Sequence, residues 1–74
     1  PNPAKDLVTI AYDLAVEKAR VEVYDISGRG INQYVLLSSK GELQLDTSAY
    51  QSGVYLIVVK DSNTVLRQQK LVVE

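Results

Sequence analysis

The 74-residue chain has no cysteine, histidine, methionine, tryptophan or phenylalanine. Without cysteine no disulfide can staple it, and without cysteine or histidine the usual ligands of a structural zinc site are missing. The commonest general base of enzymes is missing for the same reason. Stability has to come from packing, at a length where only about 60% of the unfolded surface is buried on folding and little is left over for a deep pocket.

Charge of one sign is also lacking. Eight basic and nine acidic residues are scattered along the chain and leave a net charge of −1, which provides no footprint for a nucleic-acid backbone or an anionic membrane. No apolar run approaches the roughly 18 residues of a spanning helix. Internal repeats and low-complexity tracts are absent, and the length leaves no room for a second domain. No nucleic-acid partner, no direct membrane insertion and no cofactor or metal are therefore expected. The chain opens Pro1-Asn2-Pro3 without an initiator Met, so residues 1–74 are expected to be one domain from a longer protein.

What the chain does contain favours strands. Val is its commonest apolar residue and five Tyr are its only aromatics, a composition that suits pleated, half-buried surfaces. Leu7 to Tyr12 alternates, with Leu7, Thr9 and Ala11 on one face and Val8, Ile10 and Tyr12 on the other. The segment Asp13 to Arg20, with Leu14, Ala15 and Ala19, would suit a short helical turn but has no clear cap, and reads better as a loop leading into a second strand. Arg20 to Ile26 forms that strand, with Val21, Val23 and Asp25 sharing a face.

A third strand runs from Ile31 to Ser38, with Ile31, Gln33, Val35 and Leu37 on one face. After a Ser38-Ser39-Lys40-Gly41 turn, Glu42 to Asp46 places Leu43 and Leu45 toward the core. Val54 to Val59 is apolar on both faces and predicts a central strand covered on both sides. Asp61-Ser62-Asn63 marks a turn, and Thr64 to Val73 forms the last strand, polar at Arg67, Gln68, Gln69 and Lys70. Six or seven short strands joined by tight turns predict an all-β fold, an immunoglobulin-like antiparallel β-sandwich. The edge strands of so small a sandwich invite pairing into a homodimer, which the polar Arg67, Gln69 and Lys70 are expected to limit.

Three stretches invite a chemical reading. Asp25-Ile-Ser-Gly-Arg-Gly30 has the glycines of a phosphate cradle but lacks the Gly-Lys-Ser/Thr ending and leads into a strand, not a helix. As a calcium loop it offers suitable oxygens only from Asp25 and Ser27. A strand reversal explains it better, with the Asp25 carboxylate accepting from backbone N–H groups, Gly28 supplying a positive φ and Arg29 lying alongside.

In Tyr50-Gln-Ser-Gly-Val-Tyr55, no base stands ready for a catalytic Tyr. Tyr55, two residues after Gly53, instead resembles the tyrosine corner of immunoglobulin-like sandwiches, whose hydroxyl bonds backbone upstream. Ser38, Ser39 and Lys40 occupy a hairpin tip, where an oriented nucleophile is hard to build. At the terminus, Lys70-Leu-Val-Val-Glu74 is either an ordinary last strand or a segment read by a partner through its backbone and alternate side chains.

Taken in order, Pro1-Asn-Pro3, Val23-Tyr-Asp-Ile-Ser-Gly-Arg29, Gly53-Val-Tyr55 and Lys70-Leu-Val-Val73 resemble the C-terminal sorting domain of type IX secretion cargo, the type A family of Gram-negative bacteria. The resemblance spans essentially the whole chain. It implies a non-enzymatic immunoglobulin-like domain attached to an N-terminal cargo. The domain would address that cargo from the periplasm to the outer-membrane translocon, for display at the cell surface or release.

In many members a sortase-like protease then removes the domain, which places a cleavage site at or upstream of Pro1. Carried over by position, recognition falls to Lys70, Leu71, Val72, Val73 and Glu74. Asp25, Gly28, Arg29, Gly53 and Tyr55 are then the fold-defining positions. The chain departs from the family at Tyr50, where Leu is usual, and at Glu74, where a basic residue is frequent. The alternative is a retained immunoglobulin-like accessory module, with Tyr24 and Tyr34 as its exposed aromatic contacts.

Overall fold

The fold is described from a computed structural model, which describes residues 7–74. The Pro1-Asn2-Pro3 opening and the expected cleavage position lie outside the described residues. Six strands succeed one another: β1 (Leu7–Asp13), β2 (Ala19–Asp25), β3 (Gly30–Leu36), β4 (Lys40–Asp46), β5 (Gly53–Asp61) and β6 (Thr64–Val73). β1 and β4 pair as one antiparallel sheet. The other four form a second sheet in the order β3-β2-β5-β6, also antiparallel throughout. The two sheets pack together as the β-sandwich expected from the alternation.

The core arises directly from period-two patterning, because every strand turns one set of alternate side chains inward. Val8 and Ile10 of β1 and Leu45 of β4 face Ala19, Val21 and Val23 of β2, Tyr55, Ile57 and Val59 of β5, and Leu71 and Val73 of β6. Leu43 packs against this cluster from β4, as expected. Residues 14–18 form a loop, tied down where the Leu14 N–H donates to the Ser39 carbonyl at 2.7 Å. The Tyr12 ring covers its cross-strand partner Gly41 so closely that a Cβ there would lie 3.0 Å from the phenol oxygen.

Two expectations are corrected. The inward face of β3 is carried by Ile31, as expected, and then by Tyr34 and Leu36, not by Val35 and Leu37. Leu36 is buried, whereas Val35 is 56% and Leu37 78% exposed. The cause is a β-bulge: Val23 pairs with Asn32 and Tyr24 with Gly30, so Ile31 is an extra residue that shifts the phase of the remainder of the strand. Tyr34 accordingly packs against the core instead of standing free.

β5 is central, as expected, but only one of its faces is covered by the second sheet. Val54 and Leu56 on the other face remain 37% and 38% exposed. Finally, Arg67 and Gln69 sit opposite the inward-facing Val59 and Ile57. They lie on the inner face of the edge strand β6, with Arg67 still exposed, and an inward-pointing charge on an edge is one of the ways proteins discourage pairing there. Arg67 Nη1 donates to the Ala11 carbonyl at 2.8 Å, bridging the two sheets, and Nη2 donates to Gln69 at 3.1 Å.

Leu45 is fully buried between the sheets. Leu45→Ala is expected to cost about 2–5 kcal/mol, while Val35→Ala on the exposed face of β3 stays within about 0.5 kcal/mol. Urea unfolding monitored by tyrosine fluorescence measures both.

Candidate functional site

The sequence stretches that suggested function lie far apart along the chain, and the sheet register gathers them at one end of the four-stranded sheet. Asp25, the last residue of β2, is opposite Tyr55. Tyr55 is opposite Leu71, and Gly53, the first residue of β5, is opposite Val73. The Asp25–Arg29 turn, the Gly53–Tyr55 entry and the terminal Leu71–Val73 segment are therefore neighbours in space.

The turn is organised around one carboxylate. Asp25 Oδ1 accepts from the Ser27 N–H at 3.0 Å, the Ser27 hydroxyl at 2.6 Å and the Arg29 N–H at 3.0 Å. Oδ2 accepts from Arg29 Nε at 3.2 Å. Gly28 completes the reversal at φ +90°, a conformation that side-chain-bearing residues rarely adopt, and its N–H donates to the Asp25 carbonyl. With the Ser27 hydroxyl and then the Arg29 N–H favouring the charged form, the Asp25 carboxyl is held below the ordinary carboxylate range. Donors from the turn's own residues thus occupy both carboxylate oxygens, as a strand reversal requires.

Tyr55 is buried, and its hydroxyl donates to the Gln51 carbonyl at 2.7 Å, four residues upstream. This bond pins the 47–52 loop to the sheet. An Asx-type bond from the Ser48 N–H to Asp46 Oδ1 at 2.9 Å opens that loop, and Tyr50 stacks on Tyr55 with ring centroids 5.0 Å apart. Between the loop and the Asp25 turn lies an open groove of 390 Å³ bordered by Arg29, Ile31, Tyr50 and Gln51.

At the terminus, alternation divides the expected recognition residues. Leu71 and Val73 are 1% and 5% exposed and belong to the core, so no partner can touch them while the strand stays in place. Lys70 lies on the opposite face and is exposed, Val72 is half-buried on that face, and Glu74 is exposed beyond the strand end.

One polar cluster was not anticipated. On the outer face of the four-stranded sheet, Glu22 accepts from the Tyr24 hydroxyl, from Arg20 Nε at 2.7 Å and from Lys60 Nζ at 3.1 Å. These bonds, led by that from Tyr24, pull the Glu22 carboxyl from an ordinary 4.5 to about 2. The same contact pushes the Tyr24 phenol up. The signal was present in the spacing, because Arg20, Glu22 and Tyr24 fall at i, i+2 and i+4 on one strand face. Among the described residues no three His, Cys, Asp or Glu side chains group as a metal site.

A family model described as the secretion system C-terminal sorting domain matches residues 1–74. The chain belongs to that family. Membership makes it a type IX secretion sorting signal. Neither the curated proteins nor the solved structures compared with the chain gave a match.

Removing the Tyr55 hydroxyl leaves the Gln51 carbonyl without its donor. Tyr55→Phe is expected to cost about 0.5–1.5 kcal/mol and to raise proteolytic nicking between residues 47 and 52. Glu22 and Asp25 are both depressed in the folded state, so their contribution is complete above the unfolded carboxylate value and is lost as pH falls toward about 2. Thermal midpoints should be level above about pH 5 and decline below it. In Glu22→Gln that decline should be shallower.

Proposed function

We propose that residues 1–74 form the C-terminal sorting domain of a larger secreted protein and direct the N-terminal cargo from the periplasm to the type IX outer-membrane translocon. In this reading the machinery recognises the sheet end where β6 finishes, through Lys70, Val72 and Glu74 as they lie on or beyond the outer face. Leu71 and Val73 contribute by holding the strand in the core. A sortase-like protease then removes the domain near Pro1, leaving the cargo at the cell surface or released. The domain has no catalytic role of its own in this scheme.

The family match over the whole chain carries this reading. The sheet register supports it, since it brings the three motif stretches that lie within the described residues to one end of the four-stranded sheet. A retained accessory module that binds through paired aromatics has less support. Tyr34, opposite Val21, packs against the core on the inner face, whereas Tyr24 lies on the outer face, so the two rings do not form one surface.

Two deletions in the full-length protein test the proposal. Cargo lacking residues 1–74 should accumulate folded in the periplasm, and so should cargo lacking only Leu71 to Glu74. Surface labelling and cell fractionation provide the readout, and normal display of the first deletion would overturn the sorting role. Mass spectrometry of the displayed cargo should find a C-terminus upstream of the described strands; an intact Glu74 on the surface would remove the cleavage step.

A further inference from the structure

The outer face of the four-stranded sheet extends the exposed motif residue Lys70 into a row of residues that belong to none of the expected recognition positions. Tyr24 of β2 is directly opposite Leu56 of β5, and Leu56 is directly opposite Lys70 of β6. The three side chains form one row across three strands, spanning about 10 Å at normal strand spacing. Beside it, Val54 is opposite Val72, and Ile26, 84% exposed, stands at the end of β2. Tyr24, Ile26, Val54, Leu56 and Lys70 border a mostly apolar groove of 370 Å³.

The charges around this groove indicate what fits it. Arg20 and Lys60 are already paired with Glu22, and Asp25 with Arg29. Lys70 forms no ion pair among the described residues, so it is the cation at this groove still available to a partner's carboxylate. A lipid surface suits the site poorly. Each basic residue near an anionic bilayer contributes only about 1 kcal/mol, and stable attachment takes a cluster of several. A protein segment can instead place one carboxylate and a few apolar side chains at fixed spacing, the usual form of a small interface core with a polar rim.

We propose that the Tyr24–Leu56–Lys70 row is the docking surface for an apolar, carboxylate-bearing segment of the secretion machinery. The proposal rests on the sorting-signal reading and names the chemistry of its partner. It assigns specificity to Tyr24, Ile26, Val54 and Leu56 as well as to the terminal strand. Leu56 supplies apolar contact at the centre of the row, and Lys70 sets the partner's register by charge.

The test uses full-length cargo with surface display as readout. Leu56→Asp and Lys70→Glu should each reduce display by about tenfold or more, while Lys70→Arg, which keeps the charge, recovers export relative to Lys70→Glu. Val35→Asp, on the same sheet face but across the sheet beside Arg20, serves as control and should export like the parent. Thermal unfolding checks that the variants stay folded. If Leu56→Asp loses stability, the Lys70 pair carries the test alone, since that side chain is exposed.

Should Leu56→Asp and Lys70→Glu both export normally while cargo lacking residues 1–74 stays in the periplasm, the docking surface is wrong and the sorting role stands. If the cargo lacking residues 1–74 is displayed, both fall. Cosedimentation of the parent with vesicles of equal parts phosphatidylcholine and phosphatidylglycerol, abolished by Lys70→Glu, would replace the protein partner with a lipid surface and overturn the proposal.

Discussion

A chain of this length with no cross-link depends on a single dry layer, the one enclosed between the two-stranded sheet and the inner face of the four-stranded sheet. Val21, Val23, Ile57, Val59 and Leu71 on one side meet Val8, Ile10 and Leu45 on the other, and each is at most 5% exposed. Because Leu71 and Val73 are part of that layer, the last residues of the chain help close the core. A sorting tag built this way presents its terminal strand only when the domain has folded. On the recognition proposed above, reading the tag is coupled to its integrity, since a chain that fails to bury Leu71 also fails to set Lys70 in line with Leu56 and Tyr24.

Much of this was legible in the residues. The alternation placed Leu43 and Leu45 toward the core and grouped Val21 with Val23 and Val8 with Ile10 on shared faces, which the structure shows to be the inward ones, because a strand has only two faces and apolar side chains choose the dry one. The Asp25 turn was also legible, since Asp, Ser and Gly at that spacing have few other stable conformations. Two features were not. The bulge at Ile31 inverts the phase of β3, and no local residue pattern distinguishes Val35 from Leu36 until the pairing with β2 is known. The apolar outer face of β5 was read as a covered face, because a sequence of Val and Leu on both sides looks the same whether a second layer lies over it or a partner does.

The two acidic groups that matter have comparable neighbours and different consequences. Asp25 is bonded by donors within its own turn, so its effect is local: it fixes the reversal that joins β2 to β3. Glu22 gathers Arg20 and Tyr24 from its own strand and Lys60 from β5, so it joins two strands and covers part of the outer face with polar side chains. Val58, opposite Glu22 and Gln68, is 5% exposed although no second sheet lies above it. The stems of long polar side chains can shield an apolar residue while their heads remain in water.

That shielding stops at Leu56. One row further along the sheet, the flanking residues are Tyr24 and Lys70 in place of Glu22 and Gln68, and the exposure of the central β5 residue rises from 5% to 38%. A sheet face that needed only to be soluble could have continued the polar cover across this row. Instead the cover ends where the strand that carries the terminal motif begins to close the core, and the open apolar surface lies against the outward residues of that motif. The resemblance to sorting domains draws attention to four consecutive residues, Lys70 to Val73, as though they formed one site. Alternation separates them into two jobs, with Leu71 and Val73 holding the strand and Lys70 and Val72 facing outward. The surface a partner would meet is then completed by Leu56 and Tyr24, which lie 14 and 46 residues earlier in the chain than Lys70 and become its neighbours only through the register of the sheet.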